Sequence, residues 1–184
     1  MLGKSRRKSG GPFLSDRPAG SRRWNGLGLL LCAAAMAYAL YEQHVRGLEP
    51  CHLCIFQRVV VIALGITFAV AFVHNPRRGG GRVYAVILAA LGLVGIAIAG
   101  RHVWLQMQPP GSVGACGASL DVMFQMLPPS DVLIRVFKGG AECQKVDWTF
   151  LGLSMPAWLI PLFALLGGAG AAVNWVRPKR LLRY

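Results

Sequence analysis

Four apolar runs, at residues 24–41, 55–73, 83–104 and 157–176, divide this 184-residue chain. Each is close to the roughly 20 apolar residues that an α-helix needs to cross the hydrocarbon of a bilayer. Backbone N–H and C=O groups find no water there. Each run must therefore satisfy its own hydrogen bonds, and four helices are expected. Composition agrees: 54% of the residues are hydrophobic, 15% are charged, and the mean hydropathy is +0.48. A soluble domain carries roughly 25% charged residues. The expected fold is an all-α integral membrane protein, a four-helix transmembrane bundle.

The net charge of +13 would by itself suggest nucleic acid. Its placement says otherwise. Segments 1–23, 74–82 and 177–184 hold 14 of the 20 Lys and Arg residues but one of the seven acids, Asp16. Elsewhere six bases face six acids. Basic residues confined to short stretches between apolar runs orient a membrane protein by the positive-inside rule. With four spans all three basic segments fall in the cytoplasm, and loops of about 42–54 and 105–156 face the opposite compartment. The expected organisation is a disordered basic tail (1–23), a four-span domain (24–176) and a second basic tail (177–184). Both termini are then cytoplasmic, the lipid bilayer is the partner, and nucleic acid is not. Trp24 and Trp175 fall at inner ends and Trp104, Trp148 and Trp158 at or near outer ends, as interfacial belts favour. A cleaved signal peptide is the alternative for the first run, but cleavage would break the charge consistency.

The second outer loop carries turn signals at Pro109-Pro110-Gly111, Pro128-Pro129 and Gly139-Gly140. Between the last two, residues 131–138 are too short to span, and Asp131 is a candidate N-cap. A short helix lying on the membrane surface is the expected form, with a loop strand as the alternative.

Of five cysteines, Cys32 lies mid-span and reads as a small buried hydrophobe. Cys51, Cys54, Cys116 and Cys143 all fall in the outward-facing loops, the oxidising side. Cys51-His52-Leu53-Cys54 is a C-x-x-C following Pro50, a residue suited to the first turn of a helix. Both sulfurs then lie at a helix N-terminus, where free N–H groups and the dipole favour the thiolate needed for disulfide exchange. His52 either adds positive charge there or points into the loop. Cys116 and Cys143, with 26 residues between them, would at least staple the loop. A zinc site made of all four is not expected, because only one pair is tightly spaced. A c-type haem is excluded because Ile55, not histidine, follows Cys54.

Arg58 follows Cys54 by four positions, on the same helix face one turn deeper. A guanidinium at that depth is costly. It either snorkels to the headgroups or serves the cysteine above it, stabilising a thiolate or a charged cofactor. Arg101 and His102, near the outer end of the third run, line the same site or mark the interface.

Taken together, Glu49-Pro-Cys-His-Leu-Cys-Ile-Phe-Gln-Arg58, the stretch 102–106, the Cys116…Cys143 loop and Asp147-Trp-Thr-Phe-Leu-Gly-Leu-Ser-Met-Pro-Ala-Trp-Leu159 resemble the DsbB family of bacterial inner-membrane disulfide-bond formation proteins. The resemblance covers about 150 residues and leaves out the basic N-terminal extension. It implies a thiol:quinone oxidoreductase that reoxidises a periplasmic DsbA-like dithiol oxidase and passes the electrons to a membrane quinone, ubiquinone or menaquinone. By position, Cys116 would be attacked by the partner's thiolate, Cys143 would be its loop partner, and Cys51 would exchange with the loop pair. Cys54 would face the quinone, Arg58 would hold it, and His102 would be a further contact. The two competing readings are a vitamin K epoxide reductase-like protein, which would carry its C-x-x-C in a late span, and a non-catalytic membrane protein with structural disulfides.

Overall fold

A computed structural model of the chain describes residues 19–76, 80–109, 141–146 and 148–175, with the single positions Gln125, Pro128, Ser130 and Asp131. Four helices follow the apolar runs: α1 (Ala19–His44), α2 (His52–His74), α3 (Gly80–Gln106) and α4 (Met155–Trp175). All four are long and apolar enough to cross a membrane, and the chain is a multi-pass membrane protein. Apart from the far end of the fourth run, where Val176 lies outside the described residues, the helices overrun the apolar stretches by one to five residues. A helix does not stop where the hydrocarbon stops. The basic tails at 1–18 and 176–184, and Arg77 and Arg78, also fall outside the described residues.

Lipid tails give apolar helices no hydrophobic reason to associate, so close backbone approach has to supply the contact. The α3–α4 pair does this with glycine. A Cβ on Gly92 would lie 2.8 Å from the Gly167 Cα and 3.1 Å from the Phe163 carbonyl oxygen. One turn along, the fully buried Phe163 ring occupies the space beside Gly95. Phe68 of α2 fills the middle of the bundle, its ring pressed against Gly28 of α1 and Gly170 of α4. Cys32 is buried beside Gly65, a packing role as its position suggests. Leu30, Ile66, Val73, Leu93 and Leu165 point outward and stay exposed, which suits a lipid-facing surface. At the bundle end remote from the C-x-x-C, Asn25 and Asn174 donate to each other's side-chain oxygens at 3.2 and 2.9 Å. They tie α1 to α4 where a lone buried amide would be costly.

Three local features differ from expectation. Pro50 precedes the first turn of α2 rather than occupying it: Cys51 is the N-cap, with extended φ −65° and ψ 166°, and the helix begins at His52. Asp131 does not cap: Ser130 before it is already helical, and the Asp131 N–H donates to the Pro128 carbonyl. The rest of the expected surface helix lies outside the described residues. A small hairpin of β1 (Thr149–Phe150) and β2 (Leu153–Ser154) precedes α4. Its turn places Leu151 at φ 53° and Gly152 at φ 78°. Positive φ at both central residues matches the right-handed twist of paired strands. Ser154 Oγ donates to Gln106 Oε1 at 2.6 Å, and Trp158 Nε1 to the Phe150 carbonyl at 3.1 Å, which pins the hairpin over the ends of α3 and α4.

Candidate redox site

With Cys51 as N-cap and Cys54 in the first turn of α2, the chain folds the two sulfurs toward one another. They lie 3.2 Å apart, a non-bonded separation, with the Cys51 thiol donating to the Cys54 sulfur. His102, one turn from the end of α3, is buried to 2% exposure and reaches both. Its Nε2 is 3.7 Å from Cys51 Sγ and its Nδ1 is 4.0 Å from Cys54 Sγ, each within sulfur hydrogen-bonding reach. Arg101 turns away and stacks over Trp104, 4.2 Å from the ring centre. Of the two polar residues at this depth, His102 alone joins the cysteines.

The sulfurs and His102 sit on the wall of a cavity of about 270 Å³ between α1, α2, α3 and α4. Ligand pockets run from roughly 300 to 1,000 Å³. Ala35, Met36, Val61, Leu159 and Leu162 supply apolar lining, and Arg58, Gln57 and Gln106 supply polar groups. Arg58 donates from Nη2 to the Ala39 carbonyl at 3.0 Å and from Nη1 to the Gln43 side-chain oxygen. Both partners lie on α1 and are uncharged, so neither offsets the charge of the guanidinium beside the cavity. Gln57 is 2% exposed, and among the described residues its Nε2 is the one buried side-chain nitrogen or oxygen without a hydrogen-bond partner. An orphan donor on the wall of this mostly apolar cavity can take an acceptor from a bound molecule.

Cys143 closes a 3₁₀ turn, Ala141–Cys143, and is fully buried. The neighbouring Glu142 lies 3.8 Å from His52 Nδ1, so this turn rests against the N-terminus of α2. His52 thus points into the loop rather than into the cavity. Cys116 lies outside the described residues. The structure accordingly brings together Cys51, Cys54, Arg58, His102 and Cys143 of the six expected site residues.

Sequence comparison agrees with this geometry. The family profile described as "Disulfide bond formation protein DsbB" matches residues 21–173. The chain belongs to the DsbB family. Its relatives include proteins named "Disulfide bond formation protein B" from Methylococcus capsulatus (48% identical, covering 84% of this chain and 93% of the relative) and Nitrosococcus oceani (48%, covering 77% and 83%). Another, from Acinetobacter baumannii, is 46% identical and covers 77% of this chain and 84% of the relative. This DsbB-family chain is therefore a membrane disulfide-bond-forming oxidoreductase.

Sequence reasoning missed three residues of the cavity. Gln57 sits between two site residues but reads as an ordinary polar residue in an apolar run. Glu42 is buried to 5% exposure on the cavity wall, with Arg46 one turn away holding it at 3.3 Å. The i,i+4 spacing was the available signal. Gln106 closes the 102–106 stretch that carries part of the family resemblance but has no role legible in sequence, because its place depends on the hairpin.

Proposed function

We propose that this protein reoxidises a DsbA-like periplasmic dithiol oxidase and delivers the electrons to a membrane quinone through two relayed disulfides. The observation that carries the reading is the cavity wall itself: a C-x-x-C pair, a buried imidazole, an arginine tied only to neutral carbonyls and an unpartnered Gln57 donor, all around one apolar space. A quinone suits it, having a flat apolar ring and two carbonyl acceptors. Gln57 and Arg58 would hold the ring's oxygens, with His102 beside them. When bound, a quinone accepts two electrons and two protons.

The chain's own residues do the rest. A thiolate of the partner attacks Cys116 in a Cys116–Cys143 disulfide and forms a mixed disulfide. The partner's second thiolate resolves it, so the partner leaves oxidised and the loop pair is left as a dithiol. That dithiol reduces a Cys51–Cys54 disulfide, with Cys51 as the sulfur attacked. The burial of Cys143, in a turn that rests against the N-terminus of α2, supports this transfer. Cys51 donates its S–H to Cys54, which leaves Cys54 as the electron-rich sulfur facing the cavity. Arg58 favours negative charge there through a fixed guanidinium in poorly hydrated surroundings. His102 can hold or pass a proton between the sulfurs and the cavity. A partner at about −120 mV requires an acceptor of higher potential, which supports a quinone.

The basic segments support an inner-membrane location with both termini cytoplasmic and the four relay cysteines periplasmic. Reporter fusions within 74–82 and within 111–114 are expected on opposite sides of the membrane, and the same side for both ends the four-span topology. The relay is tested by single substitutions. Cys116→Ser should block exchange with the partner yet leave Cys51 and Cys54 reactive with quinone. Cys54→Ser should permit partner exchange and stop quinone reduction. An active Cys116→Ser variant would contradict the relay.

A further inference from the structure

The relay uses Cys51, Cys54 and His102 for electrons and protons, but in the dithiol form their geometry is also that of a ligand set for a metal. The three donor atoms lie within 4.8 Å of one another and come from two different helices. A tetrahedral zinc with bonds of about 2.3 Å to sulfur and 2.0–2.1 Å to nitrogen spaces its sulfur ligands about 3.8 Å apart and its sulfur and nitrogen ligands about 3.6 Å apart. Here the sulfurs are 3.2 Å apart and Cys51 Sγ is 3.7 Å from His102 Nε2. The sulfurs need to part by about half an ångström, and the imidazole must turn to present one nitrogen to both, since Cys54 Sγ now faces Nδ1 at 4.0 Å. Two thiolates and an imidazole suit a borderline-soft d¹⁰ cation and not a hard one. The exposed carboxylates of Glu49 and Glu142 lie on the cavity rim, beside Lys145, and offer a cation a way in.

We propose that reduced Cys51 and Cys54, together with His102, form a zinc-binding site that exists only in the dithiol state and holds the enzyme out of turnover while the ion is bound. Zn²⁺ displaces the two thiol protons, so one ion enters and two protons leave with no change of oxidation state. The fourth position stays open to water from the cavity. A disulfide offers no thiolate, so the oxidised enzyme has no such site. Zinc then acts on the one state that is waiting to give up electrons. The zinc site itself rests on the donor geometry alone, and the loss of turnover rests on the proposed relay.

The test uses the full-length protein in detergent with Cys116→Ser and Cys143→Ser, which removes the loop thiols as competing ligands. After anaerobic reduction, Zn²⁺ is titrated against a chromophoric chelator. One ion per chain is expected, with none bound by the oxidised protein. His102→Ala should weaken binding by at least about tenfold. X-ray absorption on the zinc-loaded protein that retains His102 should give two sulfur ligands and at least one imidazole nitrogen. That measurement decides the matter even if His102→Ala does not fold. Equal affinity in His102→Ala, a shell without imidazole, or undiminished binding by the oxidised protein would each overturn the site.

Discussion

Gln57→Leu is expected to do two things that seldom go together: make the quinone-free protein more stable and make it a poorer enzyme. The Gln57 side chain is 2% exposed and its Nε2 has no partner. A buried donor left unsatisfied costs about 1–3 kcal/mol of desolvation. Leucine has a similar volume and no donor, so that cost disappears and the quinone-free protein gains about 1–3 kcal/mol. With a quinone bound as proposed, the same Nε2 would have an acceptor, and leucine would forfeit that bond. The apparent quinone KM should rise by about 5- to 150-fold, which is the same 1–3 kcal/mol expressed as affinity. Partner exchange, which runs through the cysteines, should be unaffected. The assay pairs thermal unfolding of quinone-free protein in detergent with steady-state quinone reduction over a range of quinone concentrations. A destabilised variant with an unchanged KM would show that Nε2 serves the protein and not a ligand, and the placement of the ring would be wrong.

Arg58→Lys keeps the charge but loses the planar fork that reaches Ala39 and Gln43 together. It should fold and exchange with the partner while its quinone KM rises, whereas Arg58→Leu should abolish quinone reduction and slow alkylation of Cys54 at neutral pH. Wild-type behaviour in Arg58→Leu would move the quinone contacts toward His102. Gly92→Ala drives a Cβ to within 2.8 Å of the Gly167 Cα, so α3 and α4 must separate, and a loss of about 1–3 kcal/mol is expected in thermal unfolding. Gly100→Ala meets nothing within 4 Å and is its neutral control. Cys32→Ser should retain near-normal turnover, since Cys32 is a core packing residue beside Gly65, and an inactive variant would require a thiol outside the relay.

The spans were legible because hydrocarbon allows so few structures: a 20-residue apolar run has little choice but to be a helix, and its ends follow within a few residues. The C-x-x-C with Arg58 one turn deeper was legible because helical periodicity carries it within a single element. Pairing between elements was not. Taken by themselves the residues did not separate His102 from Arg101, and only the resemblance over 102–106 favoured His102; in the structure one is turned toward the sulfurs and the other onto Trp104. The hairpin at 149–154 escaped notice because its turn sets Leu151 at positive φ, a position where the usual signal is asparagine or aspartate before glycine. Gln57 could not be singled out either. Its missing partner is a property of the folded cavity and not of any local pattern.

The central claim is that four cysteines join a soluble dithiol to a membrane quinone. Its most direct measurement is anaerobic mixing of the purified protein with reduced DsbA-like partner and a short-chain quinone, following quinone absorbance and trapping thiols at each time point. One partner disulfide is expected for each quinone reduced, with no reduction in Cys54→Ser and none in Cys116→Ser when the partner is the only reductant. Quinone reduction that continues in either variant, or partner oxidation without quinone loss, would contradict the relay.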